Sequence, residues 1–110
     1  LDIPKDNLAF LAIYNGCVVK ELASPKCWFI ENDRKRYIPD EALMEMLGFS
    51  GLNLKLDKEN VLPNVKEGSP MSLADIPPTR VQEIRELVAF SRNEVVFKDR
   101  FSRYFPDLFV

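Results

Sequence analysis

Trp28 to Phe49 reads WFIENDRKRYIPDEALMEMLGF, and this stretch decides the fold because a hairpin, a turn into a helix and a helix stop follow one another without interruption. Trp28-Phe29-Ile30 is apolar and favours a strand, while Asn32-Asp33 tolerate the positive φ angles of a two-residue hairpin loop. With that loop, Trp28 stands opposite Tyr37 and Ile30 opposite Lys35 on one face, and Glu31 meets Arg34. A slip of one residue would turn all of these side chains over. Pro39 ends the second strand, and the Asp40 carboxylate is placed to cap the free amides of a helix over about residues 40–47. Leu43, Met44 and Leu47 form its apolar stripe, Gly48 stops it in the left-handed conformation, and Phe49 folds back toward Met44. So short a helix is marginal alone and must be held by packing on the hairpin.

Toward the N-terminus, the apolar run Asn7 to Tyr14 ends at Asn15-Gly16, which predicts a first strand and a tight turn. Cys17 to Lys20 predicts a second strand, and Ala23-Ser24-Pro25-Lys26 a turn into Trp28. A turn near Leu22 to Pro25 would bring Cys17 and Cys27 opposite each other, leaving two readings open: a cross-strand disulfide, or two reduced, half-buried thiols.

Beyond Ser50-Gly51, the alternation of Leu52, Leu54 and Leu56 with Asn53 and Lys55 predicts a strand with one buried face. Residues 57–70 carry Pro63, Gly68 and Pro70 and read as a surface excursion anchored by Val61, Leu62 and Val65. After Ile76-Pro77-Pro78, Thr79 and Gln82 predict a capping box, with Val81, Ile84, Leu87, Val88 and Ser91 on one side of a helix running to about Arg92. Phe97, Phe101, Tyr104, Phe105 and Leu108 continue at helical spacing until Pro106. That aromatic stripe is either core or, if exposed, an apolar patch awaiting a partner domain or a second copy.

Composition bounds what the chain does. Its 110 residues, 46% hydrophobic, suffice for one modest core and leave no length for a separate catalytic domain. A net charge of −2 and a pI near 5.2 supply no general attraction to nucleic acid or anionic lipid. No run reaches the roughly 20 apolar residues of a membrane span, and the first residues lack the pattern of a signal peptide. The chain starts on Leu1 and ends on Leu108-Phe109-Val110, which reads as a fragment of a longer protein.

No histidine is present, which removes the commonest general base, the usual Ser and Cys triads and the histidines of many zinc sites; two cysteines alone do not hold zinc. Glu41 and Glu45 lie four residues apart beside Asp40, the spacing of a carboxylate pair, but a cap and a solvated helix face are the better account, because nothing else completes such a site. Asp57, Glu59 and Glu67 do not follow a calcium-loop pattern, and Gly16, Gly48, Gly51 and Gly68 never cluster into a phosphate-binding loop. No catalytic residue, metal or cofactor is therefore expected. The candidate contact surface is Trp28, Arg34, Arg36 and Tyr37, where guanidinium groups beside aromatics suit phosphates, bases or acidic sugars. The competing reading puts Trp28 in the core, Glu31 against Arg34, and the stem of Arg36 over apolar surface.

From Asn15 to about Leu73 the chain resembles a small module that recurs in bacterial surface-associated and secreted proteins and flanks carbohydrate-active enzymes. The likeness rests on Asn15-Gly16-Cys17-Val18-Val19-Lys20, Trp28 through Asp40, Leu47-Gly48-Phe49 and Val65 through Pro70. It covers a little over half of the chain, and turns and caps dominate it more than ligand-binding residues do. Asp33 stands where glycine is usual, and the two cysteines and the helical C-terminus depart from the pattern. The resemblance implies a non-catalytic accessory unit in the cell envelope or outside the cell; without it the chain reads as cytoplasmic.

These readings converge on an α+β fold: a small antiparallel meander with one short helix after the central hairpin and one or two C-terminal helices on the sheet. Residues 1–75 form the β-rich module and 76–110 a helical extension packed on the same domain. The expected function is a non-catalytic binding or scaffolding module of a larger bacterial protein, contacting a neighbouring domain, another protein or a glycan. The alternatives are an accessory or regulatory domain of a carbohydrate-active enzyme such as a glycosyltransferase, and weak nucleic-acid binding through Arg34-Lys35-Arg36, which the acidic balance disfavours.

Overall fold

The computed structural model describes residues 5–49, 54–91 and 93–109. Along them run α1 (Lys5–Tyr14), β1 (Val18–Lys20), β2 (Cys27–Glu31), β3 (Arg34–Ile38), α2 (Glu41–Met46), β4 (Lys55–Leu56), α3 (Pro78–Ser91) and α4 (Val95–Phe101), with short 3₁₀ turns at Leu62–Asn64, Leu73–Asp75 and Pro106–Phe109. The sheet order is β3-β2-β1-β4. An α+β architecture with helices C-terminal to a small sheet is what results.

The central hairpin has the register its turn chemistry dictates. Trp28 pairs with Tyr37, Ile30 with Lys35 and Glu31 with Arg34. Asn32 and Asp33 take φ of 52° and 62°, the left-handed pair of a two-residue hairpin loop whose twist matches that of the strands. Asp40 caps α2, accepting from the Leu43 N–H at 2.8 Å. Gly48, at φ 94°, ends the helix: its N–H donates to Glu45 O and the Phe49 N–H to Met44 O, the paired bonds of a Schellman stop.

Several expectations are corrected. Residues 7–14 lie in a helix, not a strand. Leu8, Ala9, Leu11 and Ala12 are strong helix formers, and burial of Phe10 and Leu11 with half-burial of Tyr14 follows helical spacing, while Leu8 and Ile13 face out. Asn15-Gly16 accordingly closes a helix instead of a hairpin. Gly16, at φ 81°, turns the chain so that its N–H donates to Ile30 O at 2.7 Å and starts the pairing of β1 with β2.

The disulfide expectation for Cys17 and Cys27 also falls. Cys27 pairs with Lys20, and Cys17 O accepts from the Ile30 N–H. The turn lies at residues 22–25 as expected, closed by Glu21 N–H on Lys26 O, but a turn centred there sets Lys20 and not Cys17 opposite Cys27. Both thiols are free, and three register positions separate them, about 10 Å along the strand and beyond disulfide reach.

The helix near residue 79 starts at Pro78, whose missing N–H costs nothing in a first turn, so Thr79 lies inside it and is not its cap. The capping box sits instead at Ser72 and Asp75, ahead of the helix. Val81, Ile84 and Val88 face the core as expected, but Leu87 is exposed. The expected end at Arg92 lies outside the described residues, as do Ser50-Gly51, Leu52 and Asn53 of the predicted alternation.

Of that alternation, Leu54 is half-buried and Lys55–Leu56 form a two-residue strand parallel to β1. The β2–β3 hairpin and α2 intervene between β1 and β4, supplying the crossover that parallel pairing requires.

The sheet is covered on both faces, because successive strand residues point opposite ways. Val18 and Ile38 join Ala42, Leu43 and Met46 of α2, Val88 of α3 and Phe101 and Phe105 in one cluster. Val19, Trp28 and Ile30 join Phe10 and Leu11 of α1 and Val61, Leu62 and Val65 in the other. The anchors expected at 61, 62 and 65 are thus buried, and the aromatic stripe Phe97, Phe101, Tyr104 and Phe105 packs against the same core as the hairpin.

Candidate functional site

The hairpin residues come first, since sequence places the contact surface there. Strand alternation divides them between the two faces. Trp28 and Tyr37 share a face with Val19 and Leu62, their rings 5.3 Å apart; Arg34 and Arg36 point to the other. Trp28 is only 6% exposed. Its indole N–H donates to Glu21 Oε2 at 2.7 Å, and the Lys35 ammonium, which donates to Leu62 O, lies 4.5 Å from the ring centroid. That bond, more than any other contact, holds the Glu21 carboxyl below its ordinary range.

Arg36 is equally committed. Its two terminal nitrogens meet both Asp75 carboxylate oxygens at 2.9 and 3.0 Å, Nη1 also reaches Glu31 at 3.2 Å, and Nε donates to Ser69 O. The Asp75 carboxylate raises the guanidinium's proton affinity further still. Arg34 lies against Gly68, where an added Cβ would come within 3.4 Å of the Arg34 side chain. The segment 66–71 covers the outer edge of β3 through Lys35 N–H to Lys66 O, Gly68 N–H to Lys35 O and Met71 N–H to Tyr37 O. Trp28, Arg34, Arg36 and Tyr37 therefore do not form one open surface: they divide between two faces, and Trp28 and Arg36 are bound to carboxylates of this chain.

The carboxylates near α2 are occupied too. Asp40 Oδ2 accepts from the Tyr104 hydroxyl at 2.6 Å and from Arg103 at 3.2 Å, and Glu45 pairs with Arg100 at 2.5 Å. Burial, reinforced by Asp40, drives the Tyr104 hydroxyl far above its ordinary pKa. Among the described residues no three of His, Cys, Asp and Glu gather as metal ligands, and no helix is long and apolar enough to cross a membrane.

Several concavities flank the sheet, one of about 280 Å³ lined in part by Phe29, Glu31, Arg36 and Asp75. A groove of about 630 Å³ between α1 and β4 is lined by Phe10, Ile13, Tyr14, Leu54, Leu56 and Asp57. Asp57 is buried there, but its carboxylate is spent on the Val61 and Leu62 N–H groups at 2.8 and 2.9 Å. A smaller cleft of about 250 Å³ is lined in part by Cys27, Tyr37, Asp40 and Glu41. Burial raises the Cys27 pKa, so its thiol is neutral and poorly nucleophilic.

A surface with apolar content and no internal use lies at the α3–α4 turn. Leu87, Phe90, Val95 and Val96 are 66%, 91%, 73% and 60% exposed. Sequence reasoning missed it by assigning Leu87 to the buried side; the available signal was Phe90, which falls off the stripe defined by Val81, Ile84 and Val88. Comparison with protein-family models, curated proteins and solved structures finds no significant match for this chain.

Proposed function

We propose that this chain is a non-catalytic protein-interaction module whose contact surface is the apolar ridge Leu87, Phe90, Val95 and Val96. The observation that carries this reading is Phe90, a phenylalanine 91% exposed on a helix whose Val81, Ile84 and Val88 face the core instead. Large apolar side chains left in water together mark docking surfaces, and aromatic anchors dominate such interfaces. The reading keeps the expected binding or scaffolding role and moves its surface from the hairpin to the C-terminal helices. Glycan and nucleic-acid contact through the hairpin lose their support, because Trp28 is buried and Arg36 is bound to Asp75.

The test is site-specific photo-crosslinking in cells producing this protein, with a photoreactive phenylalanine analogue at position 90 and a control at exposed Asn32. A discrete protein adduct at position 90 and none at position 32 is expected. Adducts at the hairpin alone, or at neither position, overturn the assignment.

A further inference from the structure

We propose that the partner seated on this ridge is a cationic amphipathic helix, an inference that rests on the interaction-module reading. Three features of the ridge point to it. The first is its charge. In α3, Glu83 precedes Leu87 by four residues and Glu86 precedes Phe90 by four, so each carboxylate is the helical neighbour of an exposed apolar side chain. Glu94 is the N-cap residue of α4, and Asp99 follows Val95 by four; all four acids are exposed. Among the described residues of α3 and α4 the exposed cations are Lys98 and Arg80, the latter held by Met46 O at the opposite end of α3 from Phe90, while Arg85 and Arg100 pair with Asp107 and Glu45. An apolar centre rimmed by carboxylates is complementary to apolar residues flanked by Lys or Arg.

The second feature is the kind of backbone that bears the ridge. Leu87 and Phe90 project from the last two turns of a 14-residue helix and not from a sheet edge, so an extended peptide finds no strand ladder to join. Recognition must run through side chains, as when one helix packs its ridges into the grooves of another.

The third is size. The four side chains expose on the order of 500 Å² of largely apolar surface, enough for the anchor positions of one helix. A second copy of this chain is the weaker fit. Two copies would bring carboxylate rim against carboxylate rim.

The test uses fluorescence anisotropy of labelled synthetic 18-residue peptides titrated with the intact chain: an amphipathic Leu/Lys helix, its Leu/Glu counterpart, and a scrambled Leu/Lys peptide without a single apolar face. The Leu/Lys helix is expected to bind at least tenfold more tightly than either control, and less tightly as salt rises. Phe90→Asp should weaken it at least tenfold. The double variant Glu83→Lys, Glu86→Lys should weaken it similarly and raise affinity for the Leu/Glu peptide. Circular dichroism and melting of each variant should match the parent, because these side chains lie outside the core.

Equal binding of both amphipathic peptides, or binding indifferent to Phe90→Asp, overturns the proposal. So does a dimer in sedimentation that Phe90→Asp dissolves, which assigns the ridge to a second copy. A protein adduct at position 90 without Leu/Lys binding would keep the interaction module and discard its cationic partner; neither result would discard both.

Discussion

Trp28 shows how one side chain turns a functional expectation into a structural one. Tryptophan beside two arginines reads as a stacking platform until its environment is known, and here the indole N–H has a carboxylate acceptor in Glu21 and the ring is covered by Tyr37 and Lys35. The same pair makes a pH reporter. Because the folded pKa of Glu21 is lowered from about 4.5, its contribution to stability is complete above the unfolded value and is lost as pH falls through the folded one. Acidification should therefore shift Trp28 emission with a midpoint below pH 4.5, and Glu21→Gln should remove that transition and lessen the acid-side loss of stability. Emission that is flat from pH 6 to 3, or an unchanged transition in Glu21→Gln, would show that the bond does not carry this linkage. Arg36 taught the same lesson: a basic residue in a basic run is free for a ligand only if no carboxylate has already claimed it, and Asp75 lies far along the chain.

At the scale of elements, the central turn and both ends of α2 were legible, whereas the run Asn7 to Tyr14 and the cap ahead of α3 were not. Asn32-Asp33, Asp40 and Gly48 act through their own backbone or the next few residues, so local chemistry decides them. The run Asn7 to Tyr14 contains residues acceptable to either a strand or a helix, and its state follows from which apolar side chains find a partner. Face assignment in the hairpin was fully determined by alternation: once Trp28 pairs with Tyr37, Arg34 and Arg36 must point the other way. Asp33 gives the element a testable weakness. Held at φ 62°, it pays a steric cost that glycine avoids. Asp33→Gly should raise stability by about 0.5 kcal/mol, after the extra unfolded-state entropy of glycine, whereas Asp33→Val should cost about 1–2 kcal/mol. Urea unfolding of the two variants measures both, and a destabilising glycine would mean that the Asp33 side chain makes a contribution beyond its backbone.

For the whole molecule, the C-terminal helices are bound to the hairpin unit through a few polar ties laid over a shared apolar core. Arg80 donates to Met46 O at the end of α2, Arg100 pairs with Glu45, and Tyr104 and Arg103 converge on Asp40. Asp40 thus caps a helix and holds the far end of the chain at once. Asp40→Ala should cost about 2 kcal/mol by losing the cap and stranding the Tyr104 hydroxyl, Tyr104→Phe about 1 kcal/mol, and the double variant less than their sum by about 1 kcal/mol. Additive losses in chemical denaturation would show that cap and tie act independently. The sequence by itself determined the central hairpin, its register, the capped helix that follows, and the anchors at Val61, Leu62 and Val65, because each depends on neighbours in the chain or on periodicity. Only the tertiary structure decided that residues 7–14 are helical, that Cys17 and Cys27 stay apart, that Trp28 and Arg36 are consumed internally, and that Phe90 is left in water. The physical reason is common to all four: each outcome is set by which distant residue occupies the space beside a side chain, and chain-local chemistry carries no record of that competition.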